Sequence, residues 1–321
     1  WVDRVNVYTQ ATPHKVVVNA AELATDLDDM IRSQGEPFGS TSIYAQYRVF
    51  KLAREQGITV TLDGQGADEM LAGYIGYPGQ RIRSLVEAGQ FRQALSFLNE
   101  WSKWPGRNRL LGAKYAVSEM TDGWLYKVLR SIGGRGGTKS WINYGPLQDQ
   151  CISVIYPRQR PTQVAPGRRV VSELAFALTR RGLPGLLRHG DRNSMRFSVE
   201  SRVPFLTLDL VDLMLSLPEN YLISSAGETK HVFRAAMRGI VPDDVLDRRD
   251  KIGFETPEYA WLVSMADTIR SWLRVDLGLP FLNQKEIVRE FDEVISGTRP
   301  FSWQIWRWIN FSRWYTNEFL R

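Results

Sequence analysis

The run Ile58-Thr59-Val60-Thr61-Leu62 carries no charge and is rich in β-favouring residues, and it leads straight into Asp63-Gly64-Gln65-Gly66-Ala67-Asp68-Glu69. Such a run predicts a strand buried on both faces, the environment of a parallel sheet. Upstream, Ile43 to Glu55 reads as a helix, with Ser40 or Thr41 placed to cap it and Gly57 to end it. Earlier still, His14 to Val18 reads as a short strand, and the spacing of Leu23, Leu27, Met30 and Ile31 as a helix that Glu36-Pro37-Phe38-Gly39 terminates. Helix alternating with strand predicts an α/β fold with a partial doubly wound parallel sheet over residues 1–79. From Gln80 the character changes to amphipathic segments such as Ile82 to Leu98 and Val171 to Leu187, so residues 80–321 are expected to be mainly helical with few strands. Ser131 to Thr138, rich in glycine, and Pro157 to Pro166, with three prolines, read as exposed loops.

The place of the acidic loop matters as much as its residues. In an open parallel sheet, ligands bind beyond the carboxyl ends of the strands, and glycines there let backbone N–H groups approach a phosphate or nucleotide. Gly64 and Gly66 suit that role. Asp63, Asp68 and Glu69 fall within seven residues, a concentration of like charge that a cation would offset. Oxygen ligands favour magnesium, which takes one or two carboxylates and leaves positions for phosphate. Asp68 and Glu69 also suit a bare helix N-terminus, where acids favour the dipole. The segment matches neither the P-loop nor the dinucleotide fingerprint, so spacing alone leaves the ligand open.

Composition removes several classes. The net charge of +6 arises from 41 basic and 35 acidic residues that are interspersed, without the clustered stripe of a nucleic-acid binder. No stretch approaches the roughly 18–20 apolar residues of a spanning helix. A membrane role is therefore not expected, and a cytoplasmic protein is. One cysteine, Cys151, and three histidines leave no disulfide and no zinc cluster to assemble. Trp303, Trp306, Trp308, Phe311, Trp314 and Phe319 are apolar around most of a helix, which predicts core packing.

The segment LDGQGADEMLAGY resembles the SGEGxDExFGGY-type signature of the asparagine synthetases. Glu36-Pro37-Phe38 precedes it, and Asp191-Arg192-Asn193-Ser194-Met195, Val199-Glu200-Ser201-Arg202-Val203-Pro204-Phe205-Leu206 and Arg249-Asp250-Lys251-Ile252-Gly253-Phe254 follow in the family's order. The likeness runs across nearly the whole chain, including the Trp-rich end. It implies the adenine nucleotide alpha hydrolase-like fold of ATP pyrophosphatase type. It also implies a ligase that uses ATP and Mg2+ to convert aspartate, through β-aspartyl-AMP, to asparagine, with ammonia from glutamine in the full-length protein. A homodimer is compatible with it. By matching positions, Asp68 would hold the magnesium-pyrophosphate, Asp63, Gly64, Gly66 and Glu69 would lie at the nucleotide, and Lys251 would stabilise charge at the α-phosphate. Glu200 and Arg202 would form an internal salt bridge that shapes the site. His14, His189 and His231 match no catalytic position.

Two departures from the family pattern bear on function. No S-G-G-x-D-S loop and no glutaminase domain with its N-terminal cysteine occur in these residues, so the chain alone is expected to be inactive. The family's glutamate between the two glycines is Gln65 here, and an amide cannot act as a base. That leaves open a related adenylating enzyme with another carboxylate or amine, such as a peptide or antibiotic cyclase or a capsule-associated paralogue, and also a non-catalytic remnant.

Overall fold

The computed structural model of the chain describes residues 1–120, 139–153, 161, 164–250, 253 and 256–320. Lys251, Ser131 to Thr138 and most of Pro157 to Pro166 lie outside the described residues. The first half runs α1 (Val2–Thr9), α2 (Ala20–Gln34), α3 (Ser42–Glu55), β1 (Val60–Leu62), α4 (Ala67–Met70), α5 (Tyr77–Glu87), α6 (Phe91–Trp101) and α7 (Arg109–Met120). It continues with α8 (Tyr144–Asp149), α9 (Arg169–Thr179), α10 (Leu183–Arg196), β2 (Glu200–Arg202), α11 (Leu208–Ser216), α12 (Glu219–Leu222) and α13 (His231–Ala236). The last helices are α14 (Asp243–Leu246), α15 (Glu258–Ser264), α16 (Ala266–Leu273), α17 (Gln284–Ile295) and α18 (Gln304–Phe319). Among the described residues the architecture is α/β, mainly helical, with one small parallel sheet.

Local chemistry explains the boundaries. Asn19 opens α2 by accepting from the Glu22 N–H at 2.9 Å, and Gly35 ends it at φ 72°. Leu23, Leu27, Met30 and Ile31 are all buried, as their spacing predicts. Thr41 stands at the start of α3 but makes no side-chain cap; its hydroxyl bonds Glu258 Oε2 at 2.9 Å instead. The two long helical segments expected downstream are each broken. Gly89 at φ 72° separates α5 from α6, and Gly182 at φ 86° separates α9 from α10, where Pro184 enters the first turn.

The strand expectations need correction. His14 to Val18 forms no ladder among the described residues, and Val17 is 87% exposed; an extended segment without a partner strand gains no sheet. The run at 58–62 yields only Val60–Leu62, and it is not buried on both faces. Its neighbour is β2, in parallel register Val60↔Glu200, Thr61↔Ser201, Leu62↔Arg202. Phe50 and Ala53 of α3 pack with Val199 at the foot of the pair, while Val60 and Leu62 remain 41% and 75% exposed. β2 itself, Glu-Ser-Arg, has no apolar alternation that would announce a strand within the helical half.

Two larger cores each join distant segments. One unites residues 23–47 with residues 261–309, from Leu23 through Tyr47 to Trp261, Phe291 and Trp306. The other gathers Met70, Leu71, Phe97, Trp101, Leu174, Met214 and Ile223. The aromatic C-terminal helix packs as expected in its middle, where Trp306 and Trp308 are buried, while Trp303 and Phe319 at its ends are exposed. Among the described residues no helix is long and apolar enough to cross a membrane.

Candidate active site

Because β1 and β2 are parallel, their carboxyl ends open on the same edge, the edge where such sheets bind ligands. Asp63 leaves β1 there, its N–H still on the Arg202 carbonyl at 2.7 Å. Its carboxylate turns back to accept from the Gln65 N–H at 3.2 Å, and the Gly64 N–H and the Gln46 amide also draw on it. Burial pushes the Asp63 carboxyl above its ordinary value, and these donors pull it back.

The two glycines of the loop serve different ends. A Cβ at Gly64 would meet nothing within 4 Å, and the residue is exposed, so a ligand can approach its backbone. Gly66 sits at φ 89°, and a Cβ there would lie 2.2 Å from Leu206 Cδ2. Its lack of a side chain is dictated by the 3-10 turn Pro204–Leu206 packed on it and by the left-handed start of α4.

In the first turn of α4 the two acids part. Glu69 is buried and accepts from the Tyr74 hydroxyl at 2.5 Å, which helps to push that phenol's pKa up after burial itself. Asp68 instead meets Lys230, with Oδ1 and Nζ 2.5 Å apart and side chains 14% and 29% exposed. Lys230 adopts φ 58° just before α13 and gives its N–H to the Leu71 carbonyl at 3.1 Å. Gly73 makes the meeting possible: a Cβ there would fall 2.0 Å from Asp68 Oδ1 and 2.7 Å from Lys230 Cε.

Of the residues expected at the site, Asp63, Gly64, Gln65, Gly66, Asp68 and Glu69 share this one turn, with Gln65 half-buried. Lys251 lies outside the described residues. The expected Glu200–Arg202 salt bridge exists at 2.7 Å, but its side chains are 55% and 61% exposed, so it is a surface pair and not an internal one. His189 and His231 bond Gln34 Oε1 and Glu228 Oε2, and His14 is exposed. Lys230 and Gly73 were missed by sequence reasoning. Gly73 had a visible signal, the glycine directly after the acidic turn, whereas Lys230 in Gly-Glu-Thr-Lys-His had none.

A partly buried carboxylate beside an ammonium and an open glycine turn suits a phosphate together with a divalent cation. Among the described residues no three His, Cys, Asp or Glu side chains converge on one point. An ion held by Asp68 would thus take its other ligands from water and phosphate oxygens, as magnesium does.

The asparagine synthase family model matches residues 1–316. The chain is 23% identical over 318 residues to asparagine synthetase [glutamine-hydrolyzing] 1 of Bacillus subtilis, covering 94% of this chain and 47% of that protein. It is 24% identical over 274 residues to asparagine synthetase [glutamine-hydrolyzing] 3 of the same organism, covering 84% and 39%. With the putative asparagine synthetase [glutamine-hydrolyzing] of Mycobacterium tuberculosis strain H37Rv it shares 26% over 316 residues, covering 93% and 45%. The chain spans less than half the length of these curated relatives. With the family model matching nearly every residue, the acidic turn and the parallel strand pair among them, the chain belongs to the asparagine synthase family.

Proposed function

We propose that this chain is the ATP-using part of an amide ligase that activates the side-chain carboxylate of aspartate as β-aspartyl-AMP and passes it to ammonia. In the full-length protein, glutamine would supply the ammonia. The observation that carries this reading is the Asp68–Lys230 pair at the carboxyl edge of the parallel strands. Asp68 would hold Mg2+, which when bound neutralises charge on the leaving pyrophosphate. Lys230 would turn from Asp68 to a phosphate oxygen, since an ammonium with three donors can serve both. The exposed backbone at Gly64 would lie against the nucleotide, and Asp63 would orient it. Lys251 keeps the role that the family resemblance implies, at the α-phosphate. The strand pair is then part of a larger doubly wound sheet of the ATP pyrophosphatase type, and the protein works in the cytoplasm, with a homodimer compatible.

Gln65 supports a second reading. A neutral amide in the place of the signature glutamate cannot take a proton from the attacking amine, so in this reading the acceptor is an amine already neutral at working pH, or the carboxylate is another than aspartate. The test is aspartate-dependent release of AMP and pyrophosphate from MgATP by the full-length protein, with asparagine quantified. Asp68→Ala and Gly73→Ala are both expected to reduce that release at least tenfold, since each removes a charge-assisted contact of about 1.5–3 kcal/mol. Near-normal rates in both would overturn the site, and AMP release independent of aspartate would favour the second reading.

A further inference from the structure

Trp104 lies just past α6, on a turn closed by the bonds from its N–H to the Trp101 carbonyl at 3.2 Å and from the Arg107 N–H to its own carbonyl at 3.1 Å. Trp101 is fully buried in the second core, whereas Trp104 is half-buried and belongs to neither large core. Its contacts are of another kind. The indole Nε1–H donates to the Ala226 carbonyl at 2.8 Å. Ala226 lies in a hairpin closed by the antiparallel bridge Ile223↔Thr229 and by the Ser224 N–H on the Glu228 carbonyl at 2.9 Å. Lys230 follows this hairpin directly and pairs there with Asp68. The Trp104 ring also meets two guanidinium groups. Arg107 Cζ stands 4.9 Å from its centroid and Arg249 Cζ 5.0 Å, within the roughly 6 Å over which an indole attracts a cation. Arg107 stands 5.1 Å from the Trp101 ring as well, which ties the turn back to α6.

Apolar burial does not account for an indole at this place. A smaller apolar side chain would cover the same half-buried surface; what an indole adds is a directed N–H and a face that draws cations. Each of these is used, and each reaches a different segment. The N–H holds Ala226, four positions before Lys230, and the face holds Arg249, which follows α14. We propose that Trp104 is a positioning residue for Lys230: Arg107 and Arg249 hold its ring, and its N–H holds the hairpin that keeps the Lys230 ammonium at Asp68. A lysine ammonium rides on a flexible four-carbon stem, so its place depends on where its backbone is fixed. The Leu71 carbonyl fixes the Lys230 N–H at 3.1 Å, and Trp104 fixes the hairpin that precedes it. A hairpin released from Trp104 shifts Lys230 and parts it from Asp68.

The test is reductive methylation of lysines in the full-length protein without nucleotide, followed peptide by peptide by mass spectrometry. Lys51 is the internal reference, because it too is ion-paired, to Asp26 on α2 at 3.2 Å. Trp104→Phe keeps a ring and removes the N–H, and Arg249→Gln removes the guanidinium and leaves the N–H in place. In Trp104→Phe the Lys230 amine should react about threefold to tenfold faster than in the parent, the equivalent of one neutral hydrogen bond. In Arg249→Gln it should react faster by less, and Lys51 should be unchanged in both. Arg249 is exposed, so its variant also serves if Trp104→Phe fails to fold. A Lys230 rate unmoved in either folded variant, or one that rises only in step with Lys51, overturns the proposal and leaves Trp104 as packing. The place of Lys230 at a phosphate rests on the function proposed above. Methylation that changes while MgATP affinity of the same variants does not supports the hold on Lys230 and removes Lys230 from the phosphate.

Discussion

Single side chains in this chain are set by neighbours far away in sequence, and Glu258 shows the consequence for stability. It is 3% exposed, and its Oε2 bonds Thr41 at 2.9 Å while Oε1 has no partner among the described residues. The cavity around it is lined by Leu23, Leu27, Trp261, Met265 and Trp306, among others, and none of its other lining residues is charged. Burial pushes the carboxyl up to about 7. The unfolded chain releases this proton near the ordinary value of 4.5, so between there and about 7 the unfolded state binds fewer protons and stability falls as pH rises. The shift corresponds to roughly 3 kcal/mol across that window. Glu258→Gln keeps the bond to Thr41 and cannot ionise, so relative to the parent it should gain stability between pH 5 and pH 7.5. Urea unfolding at the two pH values checks this, and an equal difference at both would exclude the ionisation. None of this was legible from Glu258 in sequence, where an acid just after Thr-Pro reads as an ordinary helix start. Asp63 and Asp68, in contrast, stood out in sequence as candidate site residues because glycines lie beside them.

Elements were readable where a short-range signal existed. The spacing from Leu23 to Ile31 named a helix, and Gly57, at φ 73° just past α3, marked its end. The breaks at Gly89 and Gly182 were in the sequence too, but apolar periodicity on both sides concealed them. β2 could not be read at all, because three polar residues become a strand only when β1 offers a ladder. The hairpin that presents Lys230 belongs to this class. Gly227 at φ 79° lies so close to Trp101 that a Cβ would sit 3.0 Å from its Cα and Cβ, and Trp104 Nε1 holds the Ala226 carbonyl at 2.8 Å. Gly227→Ala therefore combines backbone strain with a close contact and should cost about 1–3 kcal/mol. It should also displace Lys230 and weaken MgATP binding. Calorimetry of unfolding and of MgATP binding tests both, and unchanged stability would show that the turn relaxes freely away from Trp101.

Across the whole molecule, the first core packs residues 23–47 against residues 261–309, so the two segments are expected to unfold as one cooperative unit. Asn310 on α18, fully buried, accepts from the Phe38 N–H at 2.8 Å, and Trp306 packs on Phe38 with ring centroids 5.9 Å apart. Trp306→Ala should cost about 3–5 kcal/mol, and hydrogen exchange should show protection lost in α2 as well as α18. Loss confined to α18 would mean that the two ends unfold independently. Local chemistry, carried by residues a few positions apart, determined from sequence alone the α/β class, the helices with clear periodicity and the acidic glycine turn with its family resemblance. Only the tertiary structure decided that Lys230 meets Asp68, that Asn193 bonds Gln34 and Gln46, and that β1 pairs with β2. These contacts join residues well over a hundred positions apart, and neither partner carries a local mark of the other, because what selects them is the packing of helices that bury their apolar faces together.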